Sequence, residues 1–250
     1  MRKYKASCKE EEEFLKNYDP DRYEKAANTA DIVIFTMSDK NELSVLLIKR
    51  GGYPYKGHWA IPGGFMQMDE DIDITAAREL KEETKLDGIH IEQFKTFGAV
   101  DRDPRMRVIS IAYMAFVPQS TLDFEAGDDA SDAELFKIKM ADEGFDLIGD
   151  RDRLSSHELA FDHEEIISTA IERLKNRIDY TMDAFEFLKD KKSFTIYELK
   201  KIYEAVKGES IDASNFRRDF LRKYVKTGLV DEIGTSRQYS KRAAAVYKLL

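Results

Sequence analysis

The stretch from Gly64 to Leu86, GFMQMDEDIDITAARELKEETKL, constrains the fold of this chain more than any other. Its second half is rich in strong helix formers and crowds Arg78, Glu79, Glu82 and Glu83 into six residues. On an α-helix, positions three and four apart share a face, so Glu79, Glu82 and Glu83 project together. Three carboxylates on one face repel one another, and a helix face that met only solvent would intersperse more lysines among them. A hard divalent cation such as Mg²⁺ or Mn²⁺ resolves that conflict, because it takes oxygen ligands and tolerates clustered negative charge. The pair Gly63-Gly64 just upstream marks backbone that comes close to something. The helix is expected to begin near Asp73, with Asp71 or Asp73 as N-cap and Ile74, Ala77 and Leu80 as its apolar stripe.

The flanking sequence supplies a sheet. Asp31 to Met37 and Leu43 to Arg50 are apolar, β-rich runs joined by a short polar turn, hence adjacent strands. Gly51-Gly52, Pro54 and Gly57 mark an irregular loop that runs into His58-Trp59-Ala60-Ile61-Pro62. Beyond the helix, Ile89 to Phe97 alternates as a strand, Asp101 to Arg105 is a charged turn, and Met106 to Val117 is a long buried strand. Gln119 to Leu135 is polar and acidic, so it is expected to be a loop. An amphipathic helix follows Ala160-Phe161-Asp162-His163 and ends near Arg177. A short charged helix is expected over residues 9–17.

These residues resemble the Nudix box: Gly, five residues, Glu, seven residues, Arg-Glu, an aliphatic, any residue, Glu-Glu, any residue, Gly, aliphatic. Gly64, Glu70, Arg78, Glu79, Leu80, Glu82, Glu83 and Leu86 fit at the required spacing. The resemblance implies a Nudix α/β/α sandwich around a mixed sheet. It implies Glu79, Glu82 and Glu83, with a carbonyl of Gly64, as ligands of Mg²⁺ or Mn²⁺, one of the carboxylates serving as base. It further implies Glu70 and Arg78 as an ion pair tying loop to helix. The activity that follows is hydrolysis of a nucleoside diphosphate derivative, ADP-ribose giving AMP and ribose 5-phosphate. Arg50 and Arg105 are candidate phosphate contacts, since a guanidinium suits phosphate oxygens; Arg105 could instead pair with Asp101 or Asp103. His163 is a further candidate for a substrate contact, with a structural role at the helix start as its alternative. The departure is Lys85, where the box has glycine. Glycine would close the helix in the left-handed conformation, so Gly88 is expected to take over that cap, with the helix nearly one turn longer.

From about Ile178 the character changes. A helical turn over Ala184–Leu188 precedes a helix from Phe194 to Val206, with Thr195 as N-cap and Gly208 as stop. A third helix, Ser214 to Thr227, turns Phe216, Phe220, Leu221 and Tyr224 inward and Arg217, Arg218, Arg222 and Lys223 outward. Gly228 to Ile233 and Ala243 to Tyr247 then form a hairpin, with Arg237, Lys241 and Arg242 near its turn. Helix, turn, helix and hairpin is the layout of a winged helix, whose last helix enters the major groove while basic wing residues meet phosphates. FTIYELKKIYEAVKG and SNFRRDFL are similar to the tail of Nudix-related transcriptional regulators of NAD metabolism. DRDPRMRVIS and LAFDHEEII resemble the same branch and its ADP-ribose-hydrolysing relatives. The chain thus divides into a Nudix domain, residues 1–177, and a winged-helix domain, residues 178–250.

Charge follows that division. The tail holds 15 Lys/Arg against 11 Asp/Glu, and the rest holds 25 against 37, within a total of −8. An acidic body with a basic tail suggests different partners for the two halves, a nucleoside diphosphate small molecule from the resemblance of the box and double-stranded DNA from the layout of the tail. A single cysteine, Cys8, excludes an internal disulfide framework and fits a reducing cytosol. No apolar run approaches membrane-spanning length, and the start lacks a signal-peptide core, so a cytoplasmic location is expected. The intact charged residues of the box put a hydrolase first, ahead of two alternatives. The chain is a hydrolase, or an ADP-ribose- or sugar-responsive regulator using the domain as a sensor, or a hydrolase whose tail only assists a homodimer.

Overall fold

The computed structural model describes residues 4–85, 88–122, 130–236 and 244–250. Leu86 of the box and the wing residues Arg237, Lys241 and Arg242 lie outside the described residues. An exposed helix, α1 (Lys9–Asn17), is followed by β1 (Ala27–Met37), β2 (Leu43–Arg50), β3 (Trp59–Ala60), β4 (Gly63–Phe65) and α2 (Ile72–Thr84). Next come β5 (Ile91–Phe97), β6 (Val108–Pro118), β7 (Ala130–Met140), β8 (Phe145–Ile148), β9 (Arg153–Ser155) and α3 (His163–Arg177). The tail comprises α4 (Asp183–Glu186), β10 (Phe194–Thr195), α5 (Ile196–Lys207), α6 (Ala213–Phe220), a π-turn (Leu221–Val225), β11 (Val230–Ser236) and β12 (Ala244–Leu249).

Alternation along the central strands builds the sandwich. Ala30, Ile32 and Ile34 of β1 face Ala76 and Leu80 of α2, together with Tyr113 and Ala115 of β6. Val33, Phe35 and Met37 face the other way, onto Ile166, Ala170 and Leu174 of α3. Side chains two apart share a face, so one strand feeds both helix layers. The sheet runs β5-β6-β1-β2-β7-β8-β9, with β3 on β2 and β4 on β1. Only the β1–β6 pairing is parallel among the described strands, which makes the sheet mixed.

Three expectations need correction. The segment read as an acidic loop up to Leu135 is partly strand: β7 begins at Ala130 and pairs with β2 and β8. Its inward Glu134 is accommodated because the Arg151 backbone N–H donates to that carboxylate at 2.8 Å. The buried face of α2 is Thr75, Ala76, Glu79, Leu80, Glu83 and Thr84, whereas Ile74 and Ala77 are exposed. Finally, α2 does not run on to Gly88. It stops at Thr84, and Lys85 itself takes the left-handed cap at φ 58°, its N–H donating to Lys81.

The tail follows its local signals. Thr195 caps α5 in a reciprocal box with Glu198, and Gly208 closes it at φ 73°. The helix expected over Ser214–Thr227 is α-helical only to Phe220 and then widens into the π-turn. Tyr224 on that turn is buried, and its hydroxyl meets the Tyr203 hydroxyl at 2.9 Å, while Tyr203 donates to the Ile178 carbonyl. Strands β10, β12 and β11 form a small antiparallel sheet, in which β11 runs on past the Ile233 expected to end it, as far as Ser236. The apolar core is continuous from the α3 side of the large sheet through Phe187 and Ile178 to Phe194, Phe220 and Tyr247.

Candidate functional site

The end of β2, strand β4, the face of α2, the loop before β6 and the start of α3 border one cleft of about 570 Å³. Strand β4 brings it together. Gly64 pairs with Ala30 on β1 and lies against α2, so a Cβ there would stand 2.1 Å from Glu79 Oε1. Gly63 is equally confined, with Ala30 O at 2.4 Å from where its Cβ would be. Glycine is needed at both positions for contact, which explains the sequence pair.

On α2, the box residues form one ion-pair network. Arg78 Nε donates to Glu70 at 2.8 Å and its Nη2 to the same carboxylate at 3.1 Å. Nη1 reaches Glu79 at 2.7 Å and Glu82 at 3.1 Å, and Nη2 also meets the Phe65 carbonyl at 3.3 Å. The loop is thereby held to the helix by a planar, forked donor suited to carboxylates. Glu79 and Glu83 are buried and Glu82 is exposed. Burial pushes the Glu79 carboxyl above the usual range against the pull of Arg78, whereas the Arg78 hydrogen bond holds Glu70 below it.

The donor set Glu79, Glu82, Glu83 and the Gly64 backbone is all hard oxygen, and the Gly64 cradle brings backbone and carboxylate into contact, which fits Mg²⁺ or Mn²⁺. Among the described residues, no group of three or more acidic, histidine or cysteine side chains is already gathered in metal-binding geometry. Arg78 occupies Glu79 and Glu82 instead.

The opposite wall is cationic and aromatic. Arg50 donates through Nε to the Pro54 carbonyl at 2.9 Å and lies over Phe161, 4.9 Å from the ring centroid. Arg105 pairs with Asp103 at 2.7 Å, as one of the sequence alternatives had it, yet it also borders the cleft over Phe65 and Phe161. Both candidate substrate residues therefore reach the same space as the box.

Sequence reasoning missed the cleft floor. Arg102, only 4% exposed at its side chain, clamps Asp162 at 2.7 and 2.8 Å and approaches Asp31 at 3.5 Å. Ser110 donates to Asp31 as well. His163 is buried and accepts the Ile61 N–H on Nδ1 at 3.1 Å, the structural role of the two considered. Burial pushes its imidazole below the usual range. Lys85 lines the rim. A local signal existed for Phe161 and Arg102, since both lie in stretches singled out for resemblance, but nothing in the spacing linked Arg102 to Asp162.

In the tail, Arg217, Arg218 and Arg222 are exposed on α6 and its continuation, Arg222 pairing with Asp219 at 3.0 Å. Lys223 departs from the expected outward set. Its ammonium donates to the Asp179 carbonyl and lies 4.7 Å from the Tyr224 ring centroid, so it is turned back onto the segment that follows α3. The wing candidates Arg237, Lys241 and Arg242 fall outside the described residues.

A sandwich with this box helix and a winged-helix tail defines a class, and comparison with known proteins agrees. The NUDIX domain family matches residues 26–155, and the NrtR DNA-binding winged helix domain family matches residues 184–249. The chain belongs to the Nudix family and carries a C-terminal winged helix of the NrtR type. Over 241 residues it is 31% identical to the ADPR responsive transcriptional repressor NtrR of Acinetobacter baylyi, covering 95% of this chain and 88% of that protein. It is 39% identical over 123 residues to an ADP-ribose pyrophosphatase of Methanocaldococcus jannaschii, covering 49% of this chain and 63% of the enzyme. Shewanella oneidensis NrtR, solved with a 27mer DNA, superposes with a TM-score of 0.68 at 29% identity, covering 89% of this chain and 93% of that one. Among the described residues no helix is long and apolar enough to cross a membrane.

Proposed function

We propose that this chain is a DNA-binding transcriptional regulator of NAD or sugar metabolism whose Nudix domain senses ADP-ribose or a related sugar nucleotide. The observation that carries this reading is that the likeness to the Acinetobacter repressor runs through both the cleft-bearing sandwich and the tail. Sequence reasoning put the hydrolase first; a responsive repressor with the same two-part layout reverses that order. In this reading Arg217, Arg218 and Arg222, with the wing's Arg237, Lys241 and Arg242, meet DNA phosphates or base edges. Lys223 is left to hold the π-turn after α6 against Asp179. Arg50 and Arg105 receive the diphosphate. The functional boundary falls between residues 177 and 178, and the active species is a homodimer in the cytoplasm.

Retained hydrolysis is a second reading, favoured by one observation: every charged box residue is present and Arg78 already ties Glu70 to Glu79. Glu79, Glu82, Glu83 and the Gly64 carbonyl would hold Mg²⁺ or Mn²⁺, which when bound polarises the diphosphate and acidifies a water. Glu82 or Glu83 would take the proton of that water, while Arg78 and Glu70 keep the loop on the helix. The two roles can coexist in one chain. The test uses DNA enriched on the protein from a random-sequence pool, in a mobility-shift assay with and without ADP-ribose. A parallel incubation with ADP-ribose and Mg²⁺ is followed for AMP. A shift that responds to ADP-ribose supports the regulator; AMP release adds the enzyme; absence of any DNA complex rejects the regulator.

A further inference from the structure

The cleft has two walls of opposite charge, and one side chain organises the cationic wall. Arg50 comes from the end of β2 and Arg105 from the loop before β6, yet both guanidiniums converge on the ring of Phe161, at 4.9 and 5.8 Å from its centroid. Aromatic faces attract guanidiniums through their quadrupole, so Phe161 is the ring the two cations share, with Phe65 a second ring for Arg105 at 5.2 Å. Their other edges are tethered: Arg50 to the Pro54 carbonyl at 2.9 Å, Arg105 through Nε and Nη2 to Asp103 at 3.0 and 2.7 Å.

The backbone beneath the ring is the second observation. The Ala160 carbonyl accepts the His163 N–H at 3.2 Å, closing a four-residue turn with Phe161 at φ 54° and Asp162 at φ −99°, ψ 23°. A positive φ at the second position of such a turn ordinarily selects glycine, and a bulky aromatic there is an outlier. Conformations of this kind persist where surrounding structure over-determines them, and they cluster at ligand sites. The fold tolerates a phenyl ring where glycine would be at ease, and the ring's neighbours are the two cations of the cleft. Tyr55 at 4.7 Å and His163 at 5.4 Å also pack around the ring, which stays half-buried where it borders the cleft.

We propose that Phe161 is a positioning residue that holds Arg50 and Arg105 side by side to receive two adjacent phosphoryl groups, so that the cleft selects a diphosphate over a monophosphate. This rests on the sugar-nucleotide reading above and adds the residue that sets its phosphate selectivity.

The test is calorimetric titration of the full-length protein with ADP-ribose and with AMP. It compares wild type with Phe161→Gly, Phe161→Leu and Phe161→Tyr, each also melted thermally. Loss of the two cation–ring contacts should weaken ADP-ribose binding about tenfold in the Gly and Leu variants, and AMP binding by less than about twofold. Phe161→Tyr keeps the ring and should stay within about twofold of wild type for both ligands. The Gly variant, which suits the turn, should melt no lower than the Leu variant, so that a folding defect cannot account for its lost affinity. Wild-type affinity for ADP-ribose in the Gly and Leu variants would overturn the assignment. So would an equal loss for both ligands, or a Tyr variant as weak as Leu. If wild type itself fails to bind ADP-ribose, the sugar-nucleotide reading falls and takes this inference with it, an outcome distinct from a wild type that binds and variants that do so equally.

Discussion

Lys85→Gly offers a clean test of how the box helix ends. Lys85 sits at φ 58°, ψ 6°, closing α2 in the left-handed region. For a residue with a Cβ this conformation costs about 1–2 kcal/mol. Glycine removes that cost but gives the unfolded chain more freedom, worth about 0.4–1 kcal/mol in the opposite direction. Little packing is at stake, because Lys85 is exposed and its ammonium is only 3.5 Å from the Glu82 carbonyl. The net expectation is a gain of about 0.5–1 kcal/mol, or roughly 1–4 °C in melting temperature for a chain of this size. Urea unfolding, read as a midpoint shift at constant slope, measures it directly. Lys85→Ala is the control: it removes the ammonium and keeps the strain, so it should show no gain. If Lys85→Gly is no more stable than Lys85→Ala, the left-handed cap is not the source of strain and the reasoning fails.

Gly64→Ala should drive the Glu79 carboxylate off Arg78, since the new Cβ would lie 2.1 Å from Glu79 Oε1; a loss of about 1–3 kcal/mol and failure of any Mg²⁺-dependent turnover are expected, with DNA binding retained. His163 is held below its ordinary value of 6.5 by burial, so the unfolded chain takes up the proton first and stability declines as pH falls below 6.5. The slope from this one group is at most about 1.4 kcal/mol per pH unit, and it should vanish in His163→Asn, whose amide oxygen can accept from Ile61; unfolding midpoints at pH 5.5 and 7.5 decide it. Thr195→Ala removes one half of the capping box at α5 and should cost about 1 kcal/mol, read as a lower melting temperature.

The readable parts of the fold carry their signal in local chemistry. Thr195, Glu198 and Gly208 mark both ends of α5 within its own sequence, and the alternation of β1 and β6 announces two buried faces. The misread parts are those where a distant partner changes what a residue means. Glu79 and Glu83 are charged, so an apolar stripe on α2 reads from its aliphatics alone, but both carboxylates are buried where they border the cleft, Glu79 paired with Arg78. Likewise Glu134 and Asp132 made the start of β7 resemble loop, because their partner Arg151 lies across two turns of chain. Arg102 and Asp162 face each other only after β6 and α3 have packed on the sheet. The box, Arg50 and Arg105 were legible as residues. Their convergence on Phe161 was not, because it depends on a turn whose backbone sign no sequence pattern displays.

The most direct measurement of the central claim is the affinity of the full-length protein for its selected DNA, titrated with ADP-ribose while EDTA removes divalent metal. With hydrolysis silenced, a sensor must still respond. The account predicts that saturating ADP-ribose changes the DNA dissociation constant by at least about fivefold, and that DNA changes the ADP-ribose constant by the same factor. ADP-ribose that binds the cleft yet leaves the DNA constant unchanged would contradict it.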